Sequence, residues 1–144
     1  MPYAARLSDG AGALHLAVPA KPSSLGVVRR AMEGLGLSDV MLRDAVLLTT
    51  ELVTNSVRHA SLAPDDVIEV DIVRSGPALR VRVRDGGTWV PSARGATGAI
   101  RPSPGAKSGW GLYLVDKLAA RWGTNGGGGV WFELDGSPSG ERTA

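Results

Sequence analysis

The chain has 144 residues, 43% of them hydrophobic and 21% charged, with a formal charge of only +2 despite a pI of about 9.4. That is enough chain for one domain to bury a core without covalent staples. It contains no cysteine and two histidines, which excludes disulfides, thiolate zinc sites and cysteine nucleophiles and argues against a histidine-rich metal centre.

Arginines are scattered with acids between them, so no dense basic patch points to direct binding of nucleic acid. The opening MPYAARLSDGAG lacks the apolar core of a secretory signal, and no run approaches a membrane span. Both features predict a cytoplasmic protein with no membrane partner. Residues 1–12 read as a flexible leader. Residues 13–134 read as one folded domain, and 135–144 as a flexible tail.

Ala13 to Val18 alternates, with Leu14, Leu16 and Val18 on one face, and Pro19 ends the strand. His15 is then expected on the other face, exposed. Lys21 to Leu37 predicts a first helix with an apolar stripe at Leu25, Val28, Met32 and Leu35, stopped by Gly34 and Gly36.

Ser38 to Ala60 contains neither Gly nor Pro and predicts the central helix. Ser38 suits an N-cap, and Asp39 favours the positive end of the helix dipole. Apolar and small residues recur at Leu42, Ala45, Val46, Thr49, Leu52, Val53, Ser56, Val57 and Ala60, the spacing of one buried face. Glu51 and Asn55 lie one turn apart on that helix, with Arg58 and His59 about a turn further on. A carboxylate, a carboxamide and a cation along one edge suit Mg²⁺ and phosphate, or form a solvated polar stripe.

Val67 to Val73 and Leu79 to Arg84 predict a hairpin. Matching their apolar faces sets Glu69 against Arg84 and Asp71 against Arg82, so RVRVR becomes the wet side of a sheet. The second strand runs into Asp85-Gly86-Gly87. Residues 88–108 carry Gly, Pro and Ser throughout without a period, the composition of a lid or binding loop.

Gly109-Trp110-Gly111 opens a helix that is expected to run to about Arg121, with Leu112, Val115, Leu118 and Ala119 inward. Trp122 to Thr124 and Val130 to Leu134 then predict a closing hairpin. This element order argues for an α+β domain with a mixed, largely antiparallel sheet and helices on one face.

Two glycine-bearing elements flank the long loop. A carboxylate at the strand end, Asp85, can accept a hydrogen bond from an exocyclic amine while the neighbouring glycines admit a flat ring. Gly109 and Gly111 at a helix start leave N–H groups open to phosphate. Ala106-Lys107-Ser108 lacks the glycines of a Walker loop. The segment from Gly109 to Leu114 lacks the third glycine of a dinucleotide fingerprint and follows no strand.

The ordered set of ELVTNSVRHA on a helix, a strand ending DGG, a loop, and GWGLYLV on a helix resembles the ATP-binding domain of the GHKL superfamily. That superfamily unites gyrase-type ATPases, Hsp90 chaperones and histidine kinases. Within it, ELVTNSVRHA and RWG…VWFEL look most like bacterial anti-sigma-factor serine kinases. The resemblance implies a two-layer α/β sandwich of the Bergerat type, with ATP and Mg²⁺ as cofactors. It also implies an anti-anti-sigma protein of STAS type as substrate, a sigma factor as regulated partner, and a homodimer.

Carried over by position, the resemblance implies Asn55 on Mg²⁺ and Glu51 as general base, or as the group orienting the attacking hydroxyl. Arg58 would touch phosphate, and Asp85 would hold the adenine amine with Gly87 making room for the ring. Residues 88–108 would be the lid, and Gly109 and Gly111, with Leu112 beside them, would complete the nucleotide site. Two positions depart from the family pattern: Trp89 stands for a glycine, and Gly129 for a threonine that assists adenine binding. Three functions stay open on the residues alone: a protein-serine kinase, a catalytically weak regulatory ATP-binding module, and a detached histidine-kinase-like domain.

Overall fold

Strand residues of alternating polarity and helix residues of three-and-four spacing can bury their apolar sides together only by layering. The computed structural model, which describes residues 4–7, 12–59, 66–85, 110–125 and 129–136, has that arrangement. In chain order the elements are β1 (Ala4–Leu7), β2 (Ala13–Pro19), α1 (Ser24–Glu33), α2 (Asp39–His59), β3 (Val67–Ser75), β4 (Ala78–Asp85), α3 (Trp110–Leu118), β5 (Arg121–Asn125) and β6 (Gly129–Asp135). The strands form one six-stranded sheet in the order β1-β2-β3-β4-β6-β5. Every pairing is antiparallel.

One face of the sheet carries the core. Leu14, Leu16, Val18, Ile68, Val70, Ile72, Leu79, Val81, Val83, Phe132 and Leu134 pack with Val28 and Met32 of α1, Leu48, Leu52 and Val53 of α2, and Val115 of α3. A fully buried side chain of this size stabilises by about 1.5–3 kcal/mol relative to its exposed state. Helices on one face of an antiparallel sheet make the two-layer α/β sandwich.

The elements start and stop for local reasons. Ser38 Oγ accepts the Met41 N–H at 3.2 Å, so Ser38 is the N-cap of α2. α1 is shorter than the expected Lys21 to Leu37. Its entry is a turn in which the Ser24 N–H bonds the Lys21 carbonyl, while Ser24 Oγ donates to the Pro19 carbonyl at 2.5 Å. Beyond its end, Gly36 takes φ +71°, and the Arg74 guanidinium donates to the Leu35 and Gly36 carbonyls at 2.9 and 3.3 Å. A cation from β3 therefore finishes a helix that the local sequence leaves unfinished.

Three expectations need correction. Residues 4–7, inside the expected leader, form β1 along the edge of β2. AARL is only four residues long and half alanine, which is depleted in strands, so it does not announce one, and the open edge of β2 supplies its pairing. α3 ends at Leu118 rather than near Arg121. The Ala120 N–H bonds the Glu133 carbonyl and Arg121 pairs with Glu133, so the sheet takes the chain first. His15 is not simply exposed.

On the outer face the expected register holds: Glu69 is opposite Arg84 and Asp71 opposite Arg82. His15 joins from β2, with Nδ1 2.5 Å from Asp71 Oδ1 and Nε2 3.5 Å from Glu69. Arg82 donates to Asp71 at 3.0 Å. Burial pushes the Asp71 carboxyl up, but the hydrogen bonds from His15 and Arg82 outweigh it and hold it below its ordinary range.

A carboxyl depressed on folding stabilises the fold above its unfolded pKa, about 3.9, and loses that contribution as the pH falls through the folded value. The thermal midpoint of the wild type is expected to fall more steeply than that of Asp71→Asn as the pH drops from 6 to 2. Calorimetric scans at stepped pH check this; parallel curves would refute it.

Candidate functional site

The site is built on α2, where it packs on β4 and against α3. Its helical spacing puts Glu51 and Asn55 one turn apart, on the side bounded by buried Leu48 and Leu52. Asn55 is 7% exposed, and Glu51 is half-buried. Arg58 and His59 form the last turn of the same helix.

Asp85 is the last residue of β4, opposite Ile68 in β3. Alternation along β4 places it with Leu79, Val81 and Val83 on the inner face, and it is only 5% exposed. Strand alternation thus buries a carboxylate beneath the helical layer at the point where β4 ends.

Gly111 and Leu112 lie in the first turn of α3, whose remaining turns seat Val115 in the core and half-bury Leu114 and Leu118. The Trp122 indole N–H donates to Asp116 at 2.9 Å and ties α3 to β5. The three elements bearing the expected nucleotide residues are therefore neighbours, although they are far apart in the chain. Gly87, Gly109, Trp89 and the expected lid at 88–108 lie outside the described residues.

The sheet register revises one departure. Gly129 is opposite Arg84, and directly opposed residues share a face. A threonine at 129 would thus project to the outer face with Arg84, away from Asp85.

Two buried polar residues on α2 also bear on the site: Thr49, on the expected buried face, and Asp44, which no expectation covers. Asp44, seven residues before Glu51, is 5% exposed and lies 3.7 Å from Arg43 Nε. An acid at that spacing from a candidate base was the available signal. Thr49 is fully buried, and its Oγ1 has no hydrogen-bond partner among the described residues. A buried hydroxyl left unpaired costs about 1–3 kcal/mol. Thr49→Val keeps the branched shape, so it is expected to raise stability by about 1 kcal/mol. Urea unfolding monitored by tryptophan fluorescence checks this, and a lower midpoint would refute it.

Among the described residues, no group of three or more His, Asp or Glu could hold a metal ion by itself. The donors at this site are hard oxygens, one carboxamide and one carboxylate on α2. That set fits Mg²⁺, which takes one or two protein oxygens and completes its shell with phosphate and water. No helix among the described residues is long and apolar enough to cross a membrane.

Comparison with known proteins bears on the fold and the family. Serine-protein kinase RsbW of Listeria monocytogenes, from serotype 4a (strain HCC23) and from serotype 4b (strain CLIP80459), is 31% identical over 114 residues. The alignment covers 72% of this chain and 73% of each relative. The histidine kinase domain of a blue-light activated histidine kinase from Erythrobacter litoralis EL346 shares the fold with a TM-score of 0.52 at 23% identity, over 87% of this chain and 67% of that one. Residues 18–132, from the end of β2 to the middle of β6, match the family described as the histidine kinase-like ATPase domain, and the chain belongs to that family.

Proposed function

We propose that the protein is an ATP- and Mg²⁺-dependent protein-serine kinase of the anti-sigma type. Its substrate would be a STAS-type anti-anti-sigma protein in the cytoplasm, and its regulatory output the availability of a sigma factor for transcription. The observation that carries this reading is the pairing of half-buried Glu51 with buried Asn55 on α2, the helix packed on the strand that ends in buried Asp85.

In this reading Asp85 accepts the adenine amine, and Gly87 leaves room for the ring. Asn55 Oδ1 would hold Mg²⁺, and the ion would supply charge neutralisation at the phosphates. Arg58, Gly109, Gly111 and Leu112 surround the phosphate end. Glu51 orients the serine hydroxyl and takes its proton as the oxygen attacks the γ-phosphorus, while the bond from that phosphorus to the β–γ bridging oxygen breaks and ADP leaves. Little covalent work falls to the protein, so positioning and electrostatics supply the rate.

The test incubates the purified chain with γ-labelled ATP, Mg²⁺ and a purified STAS-type anti-anti-sigma protein. Label on a serine of the partner, lost with Glu51→Ala and Asn55→Ala, supports the kinase. Nucleotide-dependent binding of the partner without transfer would replace it with a regulatory module. Absence of ATP binding at millimolar concentration would overturn both.

A further inference from the structure

Phosphoryl transfer to a protein requires that an acceptor serine be held within about 3–3.5 Å of the phosphorus, so the acceptor's surface must lie against whatever surrounds Glu51. Resting on the kinase reading, we propose that the exposed stripe of α2 leading to Glu51, marked by Val40 and Leu47 and flanked by Arg43, is where the serine-bearing protein substrate docks.

Four large hydrophobic residues among those described are exposed: Val40 at 56%, Leu47 at 36%, Val67 at 48% and Val73 at 43%. Singly such residues are ordinary. Two of the four, however, share one helix with the candidate base and align with it. Val40 and Leu47 are seven residues apart, and Leu47 and Glu51 are four apart, which places all three on one face. The stripe runs about 16 Å along the axis from Val40 to Glu51.

The helix's apolar needs are already met elsewhere. Ala45, Leu48, Leu52 and Val53 fill the core, so Val40 and Leu47 are surplus to folding. In the other direction along α2 the stripe reaches Asn55, which is buried. An acceptor protein seated with its serine at Glu51 therefore meets α2 on the Leu47 side.

Arg43, between Val40 and Leu47, keeps 73% of its side chain exposed despite its contact with Asp44. An aliphatic ridge interrupted by a cation selects a partner with a shallow apolar surface and an acidic residue about 12 Å from the acceptor serine. The surface is continuous with the reaction site, which distinguishes it from Val67 and Val73 on the sheet.

The test uses the full chain carrying Val40→Asp together with Leu47→Asp, and a milder Val40→Ser/Leu47→Ser pair in case the charges impair folding. The probe is the purified STAS-type anti-anti-sigma protein with Mg²⁺-ATP. The KM for the protein substrate is expected to rise about tenfold or more, with ATP affinity and kcat at saturating substrate within about twofold. An unchanged protein KM would overturn the docking surface while leaving the kinase reading intact. So would a parallel loss of ATP affinity, or a change in sedimentation showing that the stripe contacts a second copy of the chain.

If the wild type transfers no phosphate but binds the partner, calorimetry replaces KM. Binding about tenfold weaker in the variants then supports the surface, and equal binding overturns it. No binding of the partner by the wild type would overturn both the surface and its premise.

Discussion

Glu51→Gln is expected to lower phosphoryl transfer to the partner by about 10²–10⁴-fold while ATP binding stays within a few-fold of wild type. The amide keeps the shape and the hydrogen-bonding length of the side chain but has no basic oxygen to take the serine proton. Because Glu51 is half-buried, it can face both the helical layer and an incoming hydroxyl. Binding uses other groups, so the loss belongs in kcat rather than in the KM for ATP. Single-turnover transfer from labelled ATP, paired with equilibrium binding of a fluorescent ATP analogue, separates the two. Equal loss of binding and transfer would show that Glu51 holds the nucleotide and is not the base.

Asp85→Asn is expected to weaken ATP binding by about 10–100-fold, the equivalent of one hydrogen bond to a charged group. The carboxylate is acceptor-only, and an adenine amine is a donor. The carboxamide can turn its own N–H toward that amine or toward the buried surroundings, and either choice leaves a polar group poorly matched. Asp85 is 5% exposed, so water cannot make up the difference. Calorimetric titration of both proteins with ATP and with inosine triphosphate checks the assignment. Wild type should prefer ATP, because inosine presents a carbonyl where adenine has the amine, and the variant should lose much of that preference. Undiminished discrimination in Asp85→Asn would place the adenine elsewhere.

The parts of this fold that were legible in the sequence are those in which a single periodicity decides the outcome. The β3–β4 register followed from two independent patterns that agree, apolar residues every second position and opposed charges between them. Glu51 and Asn55 follow from helix geometry alone, since four residues make about one turn. What was hidden depended on partners distant in the chain. β1 is set by the free edge of β2, and the end of α1 by Arg74 from β3. The end of α3 is set by Glu133 in β6.

The same contrast applies to the site. Local spacing offers Glu51, Asn55 and Asp85 as candidates, whereas it is the packing of α2 on β4 and against α3 that makes the elements carrying them neighbours. The register of Gly129 with Arg84 shows the limit plainly. A match of one phrase to another does not say which face a position takes, whereas alternation with buried Val130, Phe132 and Leu134 puts 129 on the outer face, as the register with Arg84 does.

The sheet order has a consequence for how the molecule can change over evolutionary time. β1–β2, β3–β4 and β5–β6 pair strands that follow one another in the chain, whereas the β2–β3 seam closes across α1 and α2 and the β4–β6 seam across α3 and β5. The entropic cost of closing a seam grows only logarithmically with the length of chain between its strands, so even a doubling of the β4-to-α3 connection would cost about 0.6 kcal/mol. Changes in the length of that connection are cheap in folding terms, whereas α3 and β5 after it are held by the core and the sheet. The connection between β4 and α3 can therefore change in length while the paired strands and the helical layer stay unaltered.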